Sequence, residues 1–158
     1  MIAAYLRAGS LSLALGLASA TAGAATPADW VEVSAAGKFS IMAPAGTTFS
    51  RTPGVDSFTG VFNAPGFAVH VDYGAHVDPL DRDHHHTQYV ARDIVVDGKP
   101  AKLITARNRG APAYFIGMYV PQVRSSAVGP VGLTLTSNLA HEHDSAMLES
   151  VYRSVRFR

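Results

Sequence analysis

The chain has 158 residues, no cysteine, 13 Lys+Arg against 12 Asp+Glu, 7 His and only 16% charged side chains, a length that fits one domain. A formal charge of +1 lacks the basic stripe that nucleic acid requires, so no nucleic-acid partner is expected. The lack of cysteine excludes disulfides, thiolate nucleophiles, iron–sulfur clusters, cysteine-ligated zinc and a lipid-modified N-terminal cysteine.

Residues 1–24 have the layout of a signal peptide. Arg7 is their only charged side chain, Leu11–Ala18 is an apolar run, and small-x-small sites follow at Ala18-Ser19-Ala20 and Ala22-Gly23-Ala24. The apolar run is too short and too diluted by Gly, Ser and Thr for a spanning helix of roughly 20 residues. Cleavage after Ala24 is expected, leaving a single domain over residues 25–158 that is periplasmic or secreted in a bacterium, with no transmembrane anchor. Arg7 leaves with the signal, so the mature chain carries 12 basic and 12 acidic residues.

From Ala25 onward, turn residues recur at short intervals: Pro44-Ala45-Gly46, Pro53-Gly54, Pro65-Gly66, Asp97-Gly98 and Gly129-Pro130. Between them lie short apolar stretches. Trp30–Val33 and Phe39–Met42 read as a strand pair around Ala36-Gly37, and Phe58–Asn63 as a further strand. Phe67, Val69, Val71 and Tyr73 alternate with Ala68, His70 and Asp72, the period-2 pattern of a strand with one face buried. Arg92–Val96 and Ala101–Ala106 flank Asp97-Gly98-Lys99-Pro100; because Pro100 cannot donate to a ladder, a hairpin with a loose loop is expected. Tyr114–Val120 and Leu133–Leu139 alternate in the same way, giving an antiparallel meander of about six or seven strands.

One segment is helical by periodicity. Behind Asp144 as N-cap, Met147, Leu148, Val151, Tyr152 and Val155 form one apolar face, with Glu149 and Arg153 an i,i+4 pair on the other side. A second helix is expected over part of Asp83–Val90, although adjacent histidines are poor helix formers. Strands followed by a helix indicate an α+β fold, an antiparallel sheet packed with a C-terminal helix and one or two more.

Gly37-Lys38-Phe39-Ser40-Ile41-Met42-Ala43-Pro44 behind a Trp near the mature start, Gly54–Gly60, Val71–Gly74, and Ser154-Val155-Arg156-Phe157 after the last helix together resemble the PsbP-type fold. That fold is shared by extrinsic photosystem proteins, the Mog family and many exported bacterial proteins. The resemblance runs through most of residues 30–157 and implies an antiparallel sheet covered by helices in an accessory, assembly or binding module. It carries over no functional residue, because the matching segments are structural.

The seven histidines lie between positions 70 and 143. His70, His76, His84, His85 and His86 sit among Asp72, Asp78, Asp81 and Asp83, and His141-Glu142-His143-Asp144 forms a second group. Imidazole and carboxylate suit Zn, Cu or Ni. The candidate metal ligands are therefore His84, His86, His141 and His143, holding Zn or Cu with no catalytic base. Their spacing matches no established metal motif, and a solvated loop with incidental affinity accounts for it equally. Protonation of these histidines below pH about 6.5 would make the 70–86 segment more cationic and alter what it binds.

His70 and Asp72 share the polar face of one strand and are the candidate pair for a hydrolase. Asp56-Ser57 has no Gly-x-Ser-x-Gly elbow around it and reads as a turn. Gly129-Pro130-Val131-Gly132 lacks the spacing of a phosphate loop. Lys99, Lys102, Arg107 and Arg109 suit a solvated edge strand, and Arg153, Arg156 and Arg158 suit the end of a helix. The leading expectation is a non-catalytic exported binding or accessory module that contacts an envelope protein or a small ligand.

Overall fold

The computed structural model describes residues 27–81, 86–127 and 129–158. Residues 1–26, where a signal peptide is expected, and His84 and His85 lie outside the described residues.

The fold is α+β and sheet-rich. A three-stranded antiparallel sheet, in the order β1-β2-β10, comprises β1 (Trp30–Ser34), β2 (Phe39–Pro44) and β10 (Arg156–Phe157). A seven-stranded antiparallel sheet comprises β3 (Thr48–Thr52), β4 (Phe58–Ala64), β5 (Phe67–Gly74), β6 (His86–Val96), β7 (Lys99–Asn108), β8 (Tyr114–Ser126) and β9 (Gly129–Leu139). Helix α1 (Ser145–Arg153) lies between β9 and β10. Among the described residues the large antiparallel sheet thus has seven strands, within the expected six or seven, and three further strands form a second sheet that the expected single meander did not include.

Alternation explains the core. In β5, Phe67, Val69, Val71 and Tyr73 are buried while His70 is exposed, as the pleat requires. The same face of the large sheet presents Phe62, Leu103, Ile116, Met118, Val120, Leu133 and Leu135. Against it pack Phe39, Ile41 and Ala43 of β2 and Leu148, Val151 and Tyr152 of α1, the helical face expected from the periodicity. Tyr152 reaches through this core to donate a hydrogen bond to Ser137 Oγ at 3.1 Å, and burial pushes its hydroxyl pKa up, with the Ser137 bond opposing the shift.

Two chain reversals differ from expectation. Asp97 and Gly98 have φ of +48° and +75°, so the β6–β7 hairpin turns in two residues and Pro100 lies within β7 opposite Val95. Positive φ at both central positions matches the right-handed twist of the strands, and Asp-Gly supplies it. At α1, a 3-10 turn at Glu142–Asp144 leads into the helix, and Asp144 makes no side-chain cap hydrogen bond.

The strand order in the large sheet is β3-β4-β5-β9-β8-β7-β6, so three strands separate β5 from β6. The chain must cross roughly 19 Å of sheet, four strand spacings. Residues 75–81 run over the outer face as a strap. A Cβ at Gly132 of β9 would stand 2.7 Å from Val77 Cγ2, and one at Gly117 of β8 would stand 2.6 Å from Leu80 Cδ1. Thr134 Oγ1 donates to the Asp78 carbonyl at 2.6 Å, and Tyr89 Oη donates to the Leu80 carbonyl at 2.8 Å. The strap needs glycine beneath it for clearance. Gly117→Val should therefore cost about 1–3 kcal/mol through overpacking, read as a lower urea midpoint with a more protease-sensitive strap.

The expected helix within Asp83–Val90 gives way, from His86 onward, to strand. Pairing with β7 satisfies its backbone, with a register shift between Thr87 and Val90 where Gln88 has φ of +53°. This makes β6, not the basic β7, the sheet edge. Glu149 on α1 ties that edge down: it accepts hydrogen bonds from Arg92 of β6 at 2.7 Å and from Arg153 at 2.9 Å. Partial burial raises the Glu149 pKa, but the two guanidinium groups outweigh it and hold the carboxyl below its ordinary value. A depressed folded pKa contributes stability above the unfolded value of about 4.3 that is lost as pH falls. Glu149→Gln should lose about 0.5–1 kcal/mol at neutral pH, with the difference from the native chain vanishing in acid denaturation curves.

Candidate functional site

The histidine candidates separate in space. His86 opens β6, its ring 4.5 Å from that of Phe115. His141 and His143 follow β9 with parallel rings 5.4 Å apart, and His143 Nε2 lies 3.2 Å from Asp144. Among the described residues no group of three or more His, Asp or Glu is gathered to hold a metal ion.

His70 and Asp72 share the outer face of β5, as their spacing requires. His70 is exposed between Val61 and Thr136, and Asp72 is half-buried between Thr59 and Thr134. Asp72 Oδ1 is buried and accepts no hydrogen bond. Thr59 and Thr134 hydroxyls, its cross-strand neighbours, donate elsewhere, to the Thr52 and Asp78 carbonyls.

A different site forms where the strands of the large sheet end. Phe58 begins β4, Tyr73 and Gly74 end β5, Val131 lies near the start of β9 and Arg124 near the end of β8, so antiparallel pairing brings all of them to one end of the large sheet. With Lys38 from the β1–β2 turn and Arg51 from β3, they line an open cleft of about 530 Å³. Its floor is aromatic and continuous with the core. Tyr73 stacks on Phe39 at 6.3 Å and meets the edge of Phe58 at 6.5 Å, and Phe49 stacks on Phe58 at 5.8 Å. The Arg51 guanidinium lies over the Phe58 ring, 4.9 Å from its centroid, where the ring quadrupole attracts it.

The wall opposite is the loop at residues 53–57, which carries Asp56 and Ser57. It packs directly on the end of β5: a Cβ at Gly74 would stand 2.8 Å from Ser57 Cβ and 3.2 Å from its Cα. A Cβ at Gly54 would stand 2.5 Å from the Ser57 carbonyl oxygen. Both glycines are therefore needed for the loop to fold down beside the cleft. Gly74→Ala should push the loop outward and weaken anion binding about fivefold, close to 1 kcal/mol, in a protein that still melts cooperatively.

The cleft's charge is unbalanced. Arg92, Arg107, Arg153, Arg156 and Arg158 all have carboxylate partners. Lys38, Arg51 and Arg124 form no ion pair among the described residues. Against their three charges the cleft holds one carboxylate, Asp56, a formal +2. Among the described residues no histidine lines it. An adjoining hollow shares Arg124 and adds Lys99.

This arrangement can hold an oxyanion. Two guanidinium forks and one ammonium from three separate elements converge on a site that is apolar below and open above. The sequence carries no local signal for it, since Lys38, Arg51 and Arg124 are isolated from one another along the chain. Among the described residues no helix is long and apolar enough to cross a membrane. Comparison with protein-family models, curated proteins and solved structures finds no match.

Proposed function

We propose that this chain is an exported, non-catalytic binding or accessory module of the bacterial envelope that takes an anionic ligand in the cleft at the end of its large sheet. One observation carries the reading: Lys38, Arg51 and Arg124, without ion pairs among the described residues, face a single carboxylate over an aromatic floor. The lining groups that distinguish the cleft are charges suited to holding an anion. The signal-like N-terminus supports export, and a sheet-rich α+β fold with a C-terminal helix supports the PsbP-type reading.

Calorimetric titration with inorganic pyrophosphate tests it. Saturable binding that weakens as salt is added is expected, because the contacts are open to solvent. A titration with no saturation in low salt contradicts it.

A second reading, Zn or Cu handling by His84, His86, His141 and His143, draws on the parallel rings of His141 and His143. It requires a stoichiometric zinc site that disappears in a His141→Ala, His143→Ala double variant.

A further inference from the structure

We propose that the end cleft docks on the anionic head groups of a phospholipid bilayer, with Val55 entering the interface. This rests on the reading of the cleft as an anion site and names the partner that presents the anion.

Val55 is the most exposed large apolar side chain of the described residues, fully open to solvent. It belongs to the loop that walls the cleft, beside Asp56, so the apolar tip and the cations share one end of the molecule. The loop is held in place by the close packing of Ser57 on Gly74, so Val55 is presented on a fixed support. Lys99 extends the positive surface past Arg124. Five arginines elsewhere are tied to carboxylates at α1, β1, the β6–β7 turn and the 3-10 turn, whereas the three cations that line the cleft beside Val55 form no ion pair among the described residues.

The shape of the cleft selects between anions. A pocket for a small molecule encloses most of its ligand, whereas this cleft is broad and open. A planar array of phosphates meets such a surface at several points together. An apolar tip amid cations is the arrangement of interfacial binding, in which a side chain enters the head-group boundary while basic residues neutralise lipid phosphates. Each cation close to an anionic surface strengthens binding roughly fivefold, and burying one valine adds roughly tenfold. Asp56 opposes them with one charge.

Co-sedimentation with vesicles tests this, using the chain expressed from its full sequence. Every variant carries the same N-terminus, so any membrane affinity of that segment cancels in the comparison. The native chain should bind phosphatidylcholine–phosphatidylglycerol vesicles more tightly than phosphatidylcholine vesicles, and the difference should shrink with salt. Val55→Asp should weaken binding to the mixed vesicles roughly tenfold, and Arg51→Glu with Arg124→Glu should remove the preference for phosphatidylglycerol. Val55 is fully exposed, so Val55→Asp should retain the native melting temperature; the double arginine variant should stay folded and melt only slightly lower, through loss of the Arg51–Phe58 contact. Equal binding to the two vesicle types, or variants indistinguishable from the native chain, overturns the proposal. Saturable pyrophosphate binding in a chain that ignores the mixed vesicles overturns it while leaving the anion site intact. Failure of both titrations removes the anion site as well.

Discussion

Phe39→Ala is expected to destabilise the protein by about 3–5 kcal/mol, the cost of deleting a fully buried aromatic side chain and leaving a cavity. Phe39 is the hinge of the two sheets. It starts β2 in the small sheet, is completely buried, and contacts Phe62 of β4 edge-on at 6.0 Å and Tyr73 of β5 at 6.3 Å. Measured against a total of roughly 5–15 kcal/mol for a domain of this size, the loss removes a large share of the stability and lowers the urea midpoint in proportion. Val31→Ala, at a half-exposed position of the same small sheet, should shift stability by less than about 0.5 kcal/mol. Because Tyr73 rests on Phe39 and forms the floor of the cleft, a folded fraction of Phe39→Ala should also bind anions more weakly than the native chain.

Reversing all three cleft cations, Lys38→Glu with Arg51→Glu and Arg124→Glu, should abolish measurable pyrophosphate binding. A charge-assisted hydrogen bond contributes about 1.5–3 kcal/mol, so loss of any one should weaken binding at least tenfold. Reversal adds repulsion to the loss. Arg51 has a second role, since its guanidinium covers the Phe58 ring, and Arg51→Glu should lower the melting temperature slightly where Arg124→Glu does not. Asp56→Asn is the opposite test: removing the only carboxylate that lines the cleft among the described residues should tighten pyrophosphate binding severalfold in low salt and lose this advantage as salt screens the charges.

Parts of the fold were legible because one physical rule decided them. Phe67–Tyr73 alternates apolar and polar side chains, Ile116, Met118 and Val120 recur at every second position, and in both strands these apolar residues are buried. The α1 stripe of Leu148, Val151 and Tyr152 and the Glu149–Arg153 pair follow from helical spacing in the same way. Where tertiary pairing decides, local pattern was silent. β3 is Thr-Phe-Ser-Arg-Thr, with Phe49 its only large apolar residue, and it is a strand because β4 satisfies its backbone. β10 is two residues long and exists through its pairing with β2. The strap could not be foreseen, since nothing local states that β9 inserts beside β5 and forces the chain over three strands.

The candidate site was less legible than the fold. Histidines adjacent in sequence draw attention because they cluster on the page, yet His86 lies tilted against Phe115 while His141 and His143 face each other after β9. Lys38, Arg51 and Arg124 carry no common motif and meet only through strand order and register. Asp56-Ser57, read as a turn, is a turn whose packing on Gly74 makes it one wall of the cleft. Arg107, assigned from sequence to a solvated edge, lies on an interior strand, paired with Glu142 at 3.1 Å and stacked over Tyr114 at 4.6 Å.

The most direct measurement is a titration of the isotope-labelled chain with pyrophosphate, followed amide by amide by nuclear magnetic resonance. If the end cleft is the anion site, the largest shifts fall on Lys38, Arg51, Ser57, Gly74 and Arg124, saturate together with one affinity, and shrink as salt is added. Shifts centred on His141 and His143 or on the His70 face of β5, or no saturable shifts in low salt, would contradict it.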